Sequence, residues 1–279
     1  MEGKEKGDMK KVLVVGSLNM DMVLSVDHHP VPGETIIGDG ITYHPGGKGA
    51  NQAYAVGKLG GDVRIIGCVG WDNNGMILTE NLAQAGVDTT AINRMPEAPT
   101  GMAIIDVDKK GDNSIIVISG ANACLTPDLL RKQKASVEWS DFIMTQLETP
   151  IDTVLELARM AKKADKCMIL DPSPARADLP DELFPLIDIM KPNEKELSIL
   201  TGMPTETDEE IKRSRRQQMH CLKKVFLRLW LLLEQEVPCW PMAMRSFSLR
   251  QSRLYLWIQR RPELHLLLQW SMDWHRKWE

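Results

Sequence analysis

The chain alternates short apolar runs with amphipathic segments at helical spacing, and this alternation limits its possible folds more than any other feature. Strands are predicted at 11–16, 63–69, 141–147, 166–170 and 187–191. Helices are predicted at 51–59, 75–85, 127–135, 151–164 and 194–201. A hairpin, 101–107 with 114–119, stands apart from this repeat. The pattern predicts an α/β fold, with a doubly wound parallel sheet and a small β flap.

Polar clusters follow the predicted strands at four places, where open α/β sheets usually bind ligands. These clusters are Asn19-Met20-Asp21, the loop from Pro45 to Asn51, the segment from Gln146 to Pro150, and the segment from Asn193 to Glu196. A carboxylate at such a position, for example Asp21 or Glu148, can accept hydrogen bonds from hydroxyl groups. Together the clusters predict a ligand site at one edge of the sheet.

Each cluster also has a purely structural interpretation. Asn19 and Asp21 could form a turn or cap a helix. Glu148 could complement the positive end of a helix dipole. Asn193 and Glu196 have the spacing of a capping box, although they could also hold Mg²⁺ and nucleotide phosphate through water.

The loop Pro45-Gly46-Gly47-Lys48-Gly49-Ala50-Asn51 is the most distinctive cluster. Its three glycines leave the backbone N–H groups open to close approach by a small polar ligand. Lys48 adds a cation and Asn51 adds an amide, a combination that suits a polyol or an anion. A phosphate-binding P-loop is excluded, because Lys48 precedes a glycine rather than Ser or Thr and position 42 is Thr42.

The composition changes near Lys212. Residues 213–279 contain thirteen Lys or Arg against five Asp or Glu, whereas all 20 glycines lie at or before Gly202. A stretch of that length without glycine is improbable for a folded α/β protein of average composition.

Other features bear on the compartment in which the chain works. No run approaches the ~18 apolar residues that a membrane span needs. Residues 1–9 are interpreted as a disordered extension, and the charged N-terminus lacks the apolar region of a secretory signal. The five cysteines show no CxxC spacing, which favours structural thiols in a reducing environment. A cytoplasmic protein is predicted, with neither membrane nor nucleic acid as a partner.

Four motifs together resemble the ribokinase branch of the ribokinase-like, or PfkB, carbohydrate kinase family. They occur in order within residues 10–212 as Gly16–Asp21, Gly46–Asn51, Gln146–Pro150 and Lys191–Glu196. The resemblance implies a three-layer αβα sandwich with a small β-sheet lid, formed by segments at about 20–45 and 99–121. It further implies ATP-dependent phosphorylation of D-ribose to ribose 5-phosphate with Mg²⁺, stimulated by K⁺, in a homodimer joined through the lids.

The resemblance also implies roles for individual residues. The implied sugar-binding residues are Asn19, Asp21, Gly47, Lys48, Asn51 and Glu148. Asn193 would approach the ATP phosphates, and Glu196 would act in the Mg²⁺ network. Alternatives are an inactive sugar-binding remnant and a kinase of another pentose or of fructose.

Two later family motifs are absent. These are a Thr-Leu-Gly stretch for the nucleotide and an Asp-Thr-Thr-Ala-Ala-Gly-Asp motif, whose glycine turn stabilises the transferred phosphoryl group and whose final Asp is the general base. No catalytic residue is therefore assigned in this chain.

A shifted reading frame accounts for both the composition change and the missing motifs. Suitable wobble bases allow Thr-Leu-Gly within positions 216–240 and Asp-Thr-Thr-Ala-Ala-Gly within positions 256–263, although the next shifted codon cannot encode Asp. The interpretation is a frameshift near residues 212–216, which makes 213–279 an abnormal tail. The alternative is a genuine basic tail in which Trp270, Trp274 and Trp278 contribute to nucleic-acid or membrane binding.

Overall fold

Ten strands and six α-helices build the part of the chain that the computed structural model describes, residues 10–202. The strands are β1 (Lys11–Val15), β2 (Asn19–Ser25), β3 (Gly40–Gly46), β4 (Asp62–Gly70), β5 (Asp88–Met95), β6 (Gly101–Val107), β7 (Asn113–Ile118), β8 (Phe142–Thr145), β9 (Cys167–Leu170) and β10 (Ile189–Met190). The helices are α1 (Lys48–Lys58), α2 (Asn73–Gln84), α3 (Pro127–Lys132), α4 (Lys134–Trp139), α5 (Ile151–Lys163) and α6 (Glu194–Thr201).

The larger sheet is parallel and has the strand order β10-β9-β8-β1-β4-β5. Successive side chains of its central strand β1 enter two different cores, since Leu13 and Val15 face one cluster and Val14 faces the other. Helices α3, α4 and α5 cover the first face, and α1 and α2 cover the second. The predicted three-layer αβα fold is confirmed.

The smaller sheet, here called the lid, has the strand order β3-β2-β6-β7. Its inner pair β2–β6 is parallel, and both outer pairs are antiparallel. The predicted hairpin corresponds to β6 and β7. Three residues, 16–18, separate the end of β1 from the start of β2, so the chain passes directly from the centre of the large sheet into the lid.

The structure differs from the sequence prediction in several elements. Strands β2, β3 and β5 are not predicted as separate strands, because they contain polar or exposed residues where an apolar run is expected. The turn or helix cap considered for Asn19 and Asp21 is wrong, since both residues lie in β2. Helix α1 begins at Lys48 rather than Asn51, and the predicted helix 127–135 is divided into α3 and α4.

Some predictions concern segments outside residues 10–202. The disordered extension 1–9, the frameshift near 212–216 and the tail 213–279 all lie outside the described residues. Within the described part, no helix is long and apolar enough to cross a membrane.

Asp72 joins the lid to the helical layer. The residue caps the N-terminus of α2, where the Gly75 N–H donates to Asp72 Oδ1 at 2.8 Å. Thr100, which directly precedes lid strand β6, donates its N–H to Asp72 Oδ2 at 2.8 Å and its hydroxyl to Asp72 Oδ1 at 2.6 Å. One carboxylate therefore holds both a helix end and the base of the lid.

We expect Asp72→Ala to lower the free energy of unfolding by about 1–2 kcal/mol, because it removes the cap and leaves the Thr100 N–H without its partner. Urea unfolding at pH 7 measures the change. Asp62→Ala is the matched control, since Asp62 is an exposed aspartate at the start of β4. Equal stability of the two variants would contradict this account of the lid base.

Candidate functional site

The site begins where β1 and β8 end side by side. In the large sheet, β4 and β5 lie on one side of β1, whereas the later strands β8, β9 and β10 lie on its other side. The strand order therefore reverses between β1 and β8, which makes this pair a topological switch point. Ser17 lies just after β1, and Glu148 lies just beyond β8. The Ser17 hydroxyl donates to Glu148 Oε2 at 2.5 Å. Ser17 is fully buried and Glu148 is partly buried. The hydrogen bond therefore fixes the Glu148 carboxylate above the crevice.

Asn19 is the second group that contacts this carboxylate. Its Nδ2 donates to Glu148 Oε2 at 3.3 Å, and its Oδ1 accepts from Nδ2 of Asn122 at 2.7 Å. Asn19 and Asn122 are both buried, so each amide is held by hydrogen bonds rather than by water. The structure thus brings together Asn19 and Glu148, two residues 129 positions apart.

Asp21 extends the same group along the lid. It lies two residues after Asn19 in β2, so the two side chains are on one face of the strand. The pKa of Asp21 is raised to about 6, chiefly because the carboxyl group is buried and also because the Glu148 carboxylate lies near it, whereas the Lys48 ammonium acts in the opposite direction. The shift shows that Asp21, Glu148 and Lys48 share one electrostatic environment.

The glycine loop packs tightly against the β1–β2 connection. Gly47 has φ +92°, and a Cβ atom there would lie 2.6 Å from the Asn19 nitrogen. A Cβ on Gly46 would collide with the Asp21 carboxylate. Close contact with this protein's own site residues therefore requires Gly46 and Gly47, and close approach by a ligand is not needed to explain them.

Ser17 also accepts hydrogen bonds from backbone N–H groups in the first turn of α1. Its carbonyl oxygen accepts the Ala50 N–H at 2.9 Å, and its hydroxyl oxygen accepts the Gly49 N–H at 3.4 Å. The N-cap Gly47 has no side chain, and the first turn of α1 contains no acidic residue. The partial positive charge at this end of α1 therefore faces the crevice, and no carboxylate in the first turn of the helix neutralises it.

Lys48 and Asn51 are the remaining predicted residues of this group. Lys48 is the first residue of α1 and is partly buried. The pKa of Asp21 and that of Asp171 are both raised by burial, and the positive charge of Lys48 opposes the rise at each, so this ammonium group acts on both carboxyl groups. Asn51 lies in the first turn of α1, and no side-chain hydrogen bond joins it to another described residue.

Asp171 lies between the group around Lys48 and the group around Glu196, since both charges affect its pKa. It follows β9 directly, and Gln52 Nε2 donates to its Oδ2 at 3.2 Å. Gln146 Nε2 donates in turn to Gln52 Oε1 at 2.6 Å, so a chain of hydrogen bonds runs from the end of β8 through α1 to the end of β9. Burial raises the pKa of Asp171, with a further contribution from Glu196.

Asn193 and Glu196 form a capping box at the start of α6. Asn193 N–H donates to Glu196 Oε2 at 2.8 Å, and Glu196 N–H donates to Asn193 Oδ1 at 2.8 Å. The predicted capping box is therefore confirmed. These bonds leave Glu196 Oε1 available, which fits a Mg²⁺ ion held mainly by water and phosphate. No group of three metal-ligating side chains occurs among residues 10–202.

The arrangement suits recognition of a small polyhydroxylated molecule. Carboxylate oxygens of Asp21 and Glu148 can accept hydroxyl protons, and the amide of Asn19 can donate to a hydroxyl oxygen. Sequence reasoning missed the supporting residues Ser17, Gln52, Asn122 and Asp171. Asp171 could have been found by the rule that located the other clusters, because it follows the predicted strand 166–170.

Comparison with known proteins gives consistent matches. The model of the pfkB family of carbohydrate kinases matches residues 9–229. A ribokinase of Haemophilus influenzae is 46% identical over 196 residues, which make up 70% of this chain and 64% of the relative. A deoxyribokinase of Salmonella typhimurium is 33% identical over 233 residues, which make up 81% of this chain and 76% of the relative.

Solved structures agree with these relatives. An Arabidopsis thaliana ribokinase, determined with ribose and ATP, is 35% identical and superposes with a TM-score of 0.70. The match covers 77% of this chain and 69% of that one. This chain therefore spans less than two thirds of the Haemophilus relative and somewhat more of the Arabidopsis structure.

The raised pKa of Asp21 predicts a stability change with pH. Between 3.8, the ordinary value, and about 6 the folded state binds more protons than the unfolded state, so the free energy of unfolding falls as pH rises through this window. Asp21→Asn removes the penalty. We expect the variant to be about 1–2 kcal/mol more stable at pH 7, allowing for solvent screening of this partly exposed group, and no more stable below pH 3.8.

Urea unfolding across this pH range measures the difference between the two proteins. Asp112→Asn, at the exposed turn of the lid hairpin, is the matched control and should follow the unmodified chain. An Asp21→Asn variant that is less stable than the unmodified chain at pH 7 would contradict the assigned burial of this carboxylate.

Proposed function

The chain belongs to the pfkB family of carbohydrate kinases, and we propose that its crevice binds D-ribose. In the family reaction, such a site holds the sugar for ATP-dependent transfer of a phosphoryl group to its 5-hydroxyl, which forms ribose 5-phosphate. The sugar-binding residues would be Asn19, Asp21, Gly47, Lys48, Asn51 and Glu148. The chain spans 64% of the length of the Haemophilus influenzae relative, and sugar binding does not by itself imply turnover.

One observation carries the proposal for binding. Asn19, Asp21 and Glu148 come from β2 and from the loop after β8, yet they form a single hydrogen-bonded and electrostatically coupled group. Keeping Asp21 ionised there costs stability at neutral pH. Hydrogen bonds from sugar hydroxyls would compensate for the lost hydration of this carboxylate, because bonds to a charged acceptor are the stronger ones.

The nucleotide would lie on the other side of Asp171. Asn193 would approach the phosphates, and Glu196 Oε1 would accept hydrogen bonds from the water shell of Mg²⁺. The ion would neutralise charge on the phosphates when bound. We carry K⁺ over from the family as an activator and assign no residue to it.

We further propose that the chain as it stands has lost turnover. No glycine follows Gly202, so the turn that stabilises the transferred phosphoryl group is missing from the sequence, and so is the general-base Asp. Each of these contributions typically accelerates a reaction by about 10² to 10⁴. The chain is thus a sugar-binding remnant of a ribose kinase.

A second pentose remains a candidate because of one comparison. The Salmonella typhimurium relative is a deoxyribokinase, and this chain covers 76% of it. Ribose and 2-deoxyribose differ by one hydroxyl. A site built to hydrogen-bond that hydroxyl would reject the sugar that lacks it, since its polar groups would then be left unpaired.

Isothermal titration of the full chain with D-ribose, 2-deoxyribose and fructose tests the proposal. We expect ribose to bind, and we expect Asp21→Asn and Glu148→Gln each to weaken binding by about tenfold or more, because each loses a charged acceptor. A coupled assay with Mg-ATP and K⁺ should detect no ribose-dependent turnover.

Glu182→Gln is the matched control for these variants. Glu182 is an exposed glutamate that pairs with Arg159 of α5 and contacts none of the proposed sugar-binding residues, so its substitution should leave the affinity unchanged. Absence of sugar binding by the unmodified chain would overturn the proposed function. Measurable phosphorylation of ribose would overturn the proposed loss of turnover and establish an active kinase.

We also propose that two copies associate through their lids. Four consecutive residues of β7, from Ile115 to Ile118, are 45–61% exposed, and Ile41 and Tyr43 of β3 are exposed by 49% and 56%. Exposed apolar surface of this extent on one small sheet is typical of an interaction surface. A second copy supplies the same surface, as a twofold interface requires.

Ile116→Lys tests this association by placing a charge on the lid, where it would be desolvated in the dimer. Sedimentation velocity over a concentration series should show a dimer for the unmodified chain and a monomer for the variant. Leu59→Lys, at an exposed site at the end of α1, is the control and should remain dimeric. A monomeric unmodified chain, or a dimeric Ile116→Lys variant, would exclude the lid as the interface.

A further inference from the structure

Asn122 is a buried amide that no family motif quoted above includes, yet it contacts the centre of the crevice. It lies in the short 3-10 turn Gly120–Cys124, which is separated from the end of lid strand β7 by Ser119 alone. The residue is 1% exposed, and its side chain makes every one of its hydrogen bonds to the segment Leu18–Asn19.

The backbone of Leu18 determines which way the Asn122 amide points. The Leu18 N–H donates to Asn122 Oδ1 at 2.9 Å, and Asn122 Nδ2 donates to the Leu18 carbonyl oxygen at 3.2 Å. An amide rotated by 180° would set its NH₂ group against the N–H and its oxygen against the carbonyl. This pair of contacts therefore allows only one orientation of Asn122.

The fixed orientation of Asn122 in turn fixes Asn19. Nδ2 of Asn122 donates at 2.7 Å to the Asn19 side chain, which must accept through its oxygen. The Asn19 NH₂ group is consequently directed the other way, where it donates to Glu148 Oε2 at 3.3 Å. An NH₂ group has two hydrogens, so one remains for a ligand hydroxyl.

We propose that Asn122 is a positioning residue for sugar recognition, which sets the Asn19 amide so that the site presents a donor beside the Glu148 carboxylate. With the opposite orientation, Asn19 would place its oxygen against Glu148 Oε2, and two acceptors would face each other. The inference rests on the proposed function, since it concerns the same sugar site.

The substitution Asn122→Asp tests this positioning role most directly. A carboxylate keeps the shape of the side chain and still accepts from the Leu18 N–H, but it cannot donate to Asn19. The Asn19 amide is then expected to rotate and give its NH₂ to the new carboxylate. We expect ribose binding, measured by titration calorimetry on the full chain, to weaken by about tenfold or more.

A double-mutant cycle separates positioning from a general loss of stability. If Asn122 acts through Asn19, the pair Asn19→Ala and Asn122→Asp should bind ribose no more weakly than Asn19→Ala alone. Asn93→Asp is the control, since the Asn93 amide also donates to backbone, at 3.2 Å to the Gly67 carbonyl oxygen, but lies on edge strand β5. That variant should change thermal stability without changing ribose affinity.

Every result of these ribose titrations either supports or overturns the positioning role of Asn122. If the unmodified chain binds ribose and Asn122→Asp binds it equally well, or if the two substitutions weaken binding additively, the positioning role is overturned and the proposed function stands. If the unmodified chain binds no ribose, both fall. Should Asn122→Asp fail to fold by circular dichroism, Asn122→Ala replaces it in the same cycle, with the same expected loss and the same non-additivity.

Discussion

Parallel pairing of β1 with β4 on one side and β8 on the other is the constraint on which the rest of the molecule depends. It buries both faces of β1 and brings the carboxyl ends of neighbouring strands to one edge. Because the strands point the same way, residues distant in sequence, such as Ser17 and Glu148, meet there. The helices on either face then close two separate cores around the sheet.

The lid adds a second source of site residues. A connection of three residues carries the chain from β1 into β2, so Asn19 and Asp21 belong to the lid, whereas Glu148 belongs to the large sheet. The glycine loop lies between these parts and is packed so tightly that Gly46 and Gly47 have no room for a side chain. The candidate sugar-binding groups and the residues that support them thus come from the same short segments.

Much of this arrangement could be predicted from the sequence. Apolar runs identify the buried parallel strands, because such strands have no polar face, and the polar clusters follow directly after them. Strand β3 could not be found in this way, since six of its seven residues are exposed. Asn122 could not be found either, because its contacts join residues about 104 positions apart and leave no local pattern. The chemical roles of all the predicted sugar-binding, nucleotide-binding and metal-binding residues remain predictions.

The strand order of the lid has one further consequence. Strand β7 lies at the edge of its sheet and contains the run Ile-Ile-Val-Ile without a charged residue, so its free backbone groups and its side chains both favour intermolecular β-pairing. A regular dimer would cover this strand. Without such a partner, strands of other chains can add to β7 one after another. Aggregation through the lid would then compete with refolding, and it would increase with protein concentration.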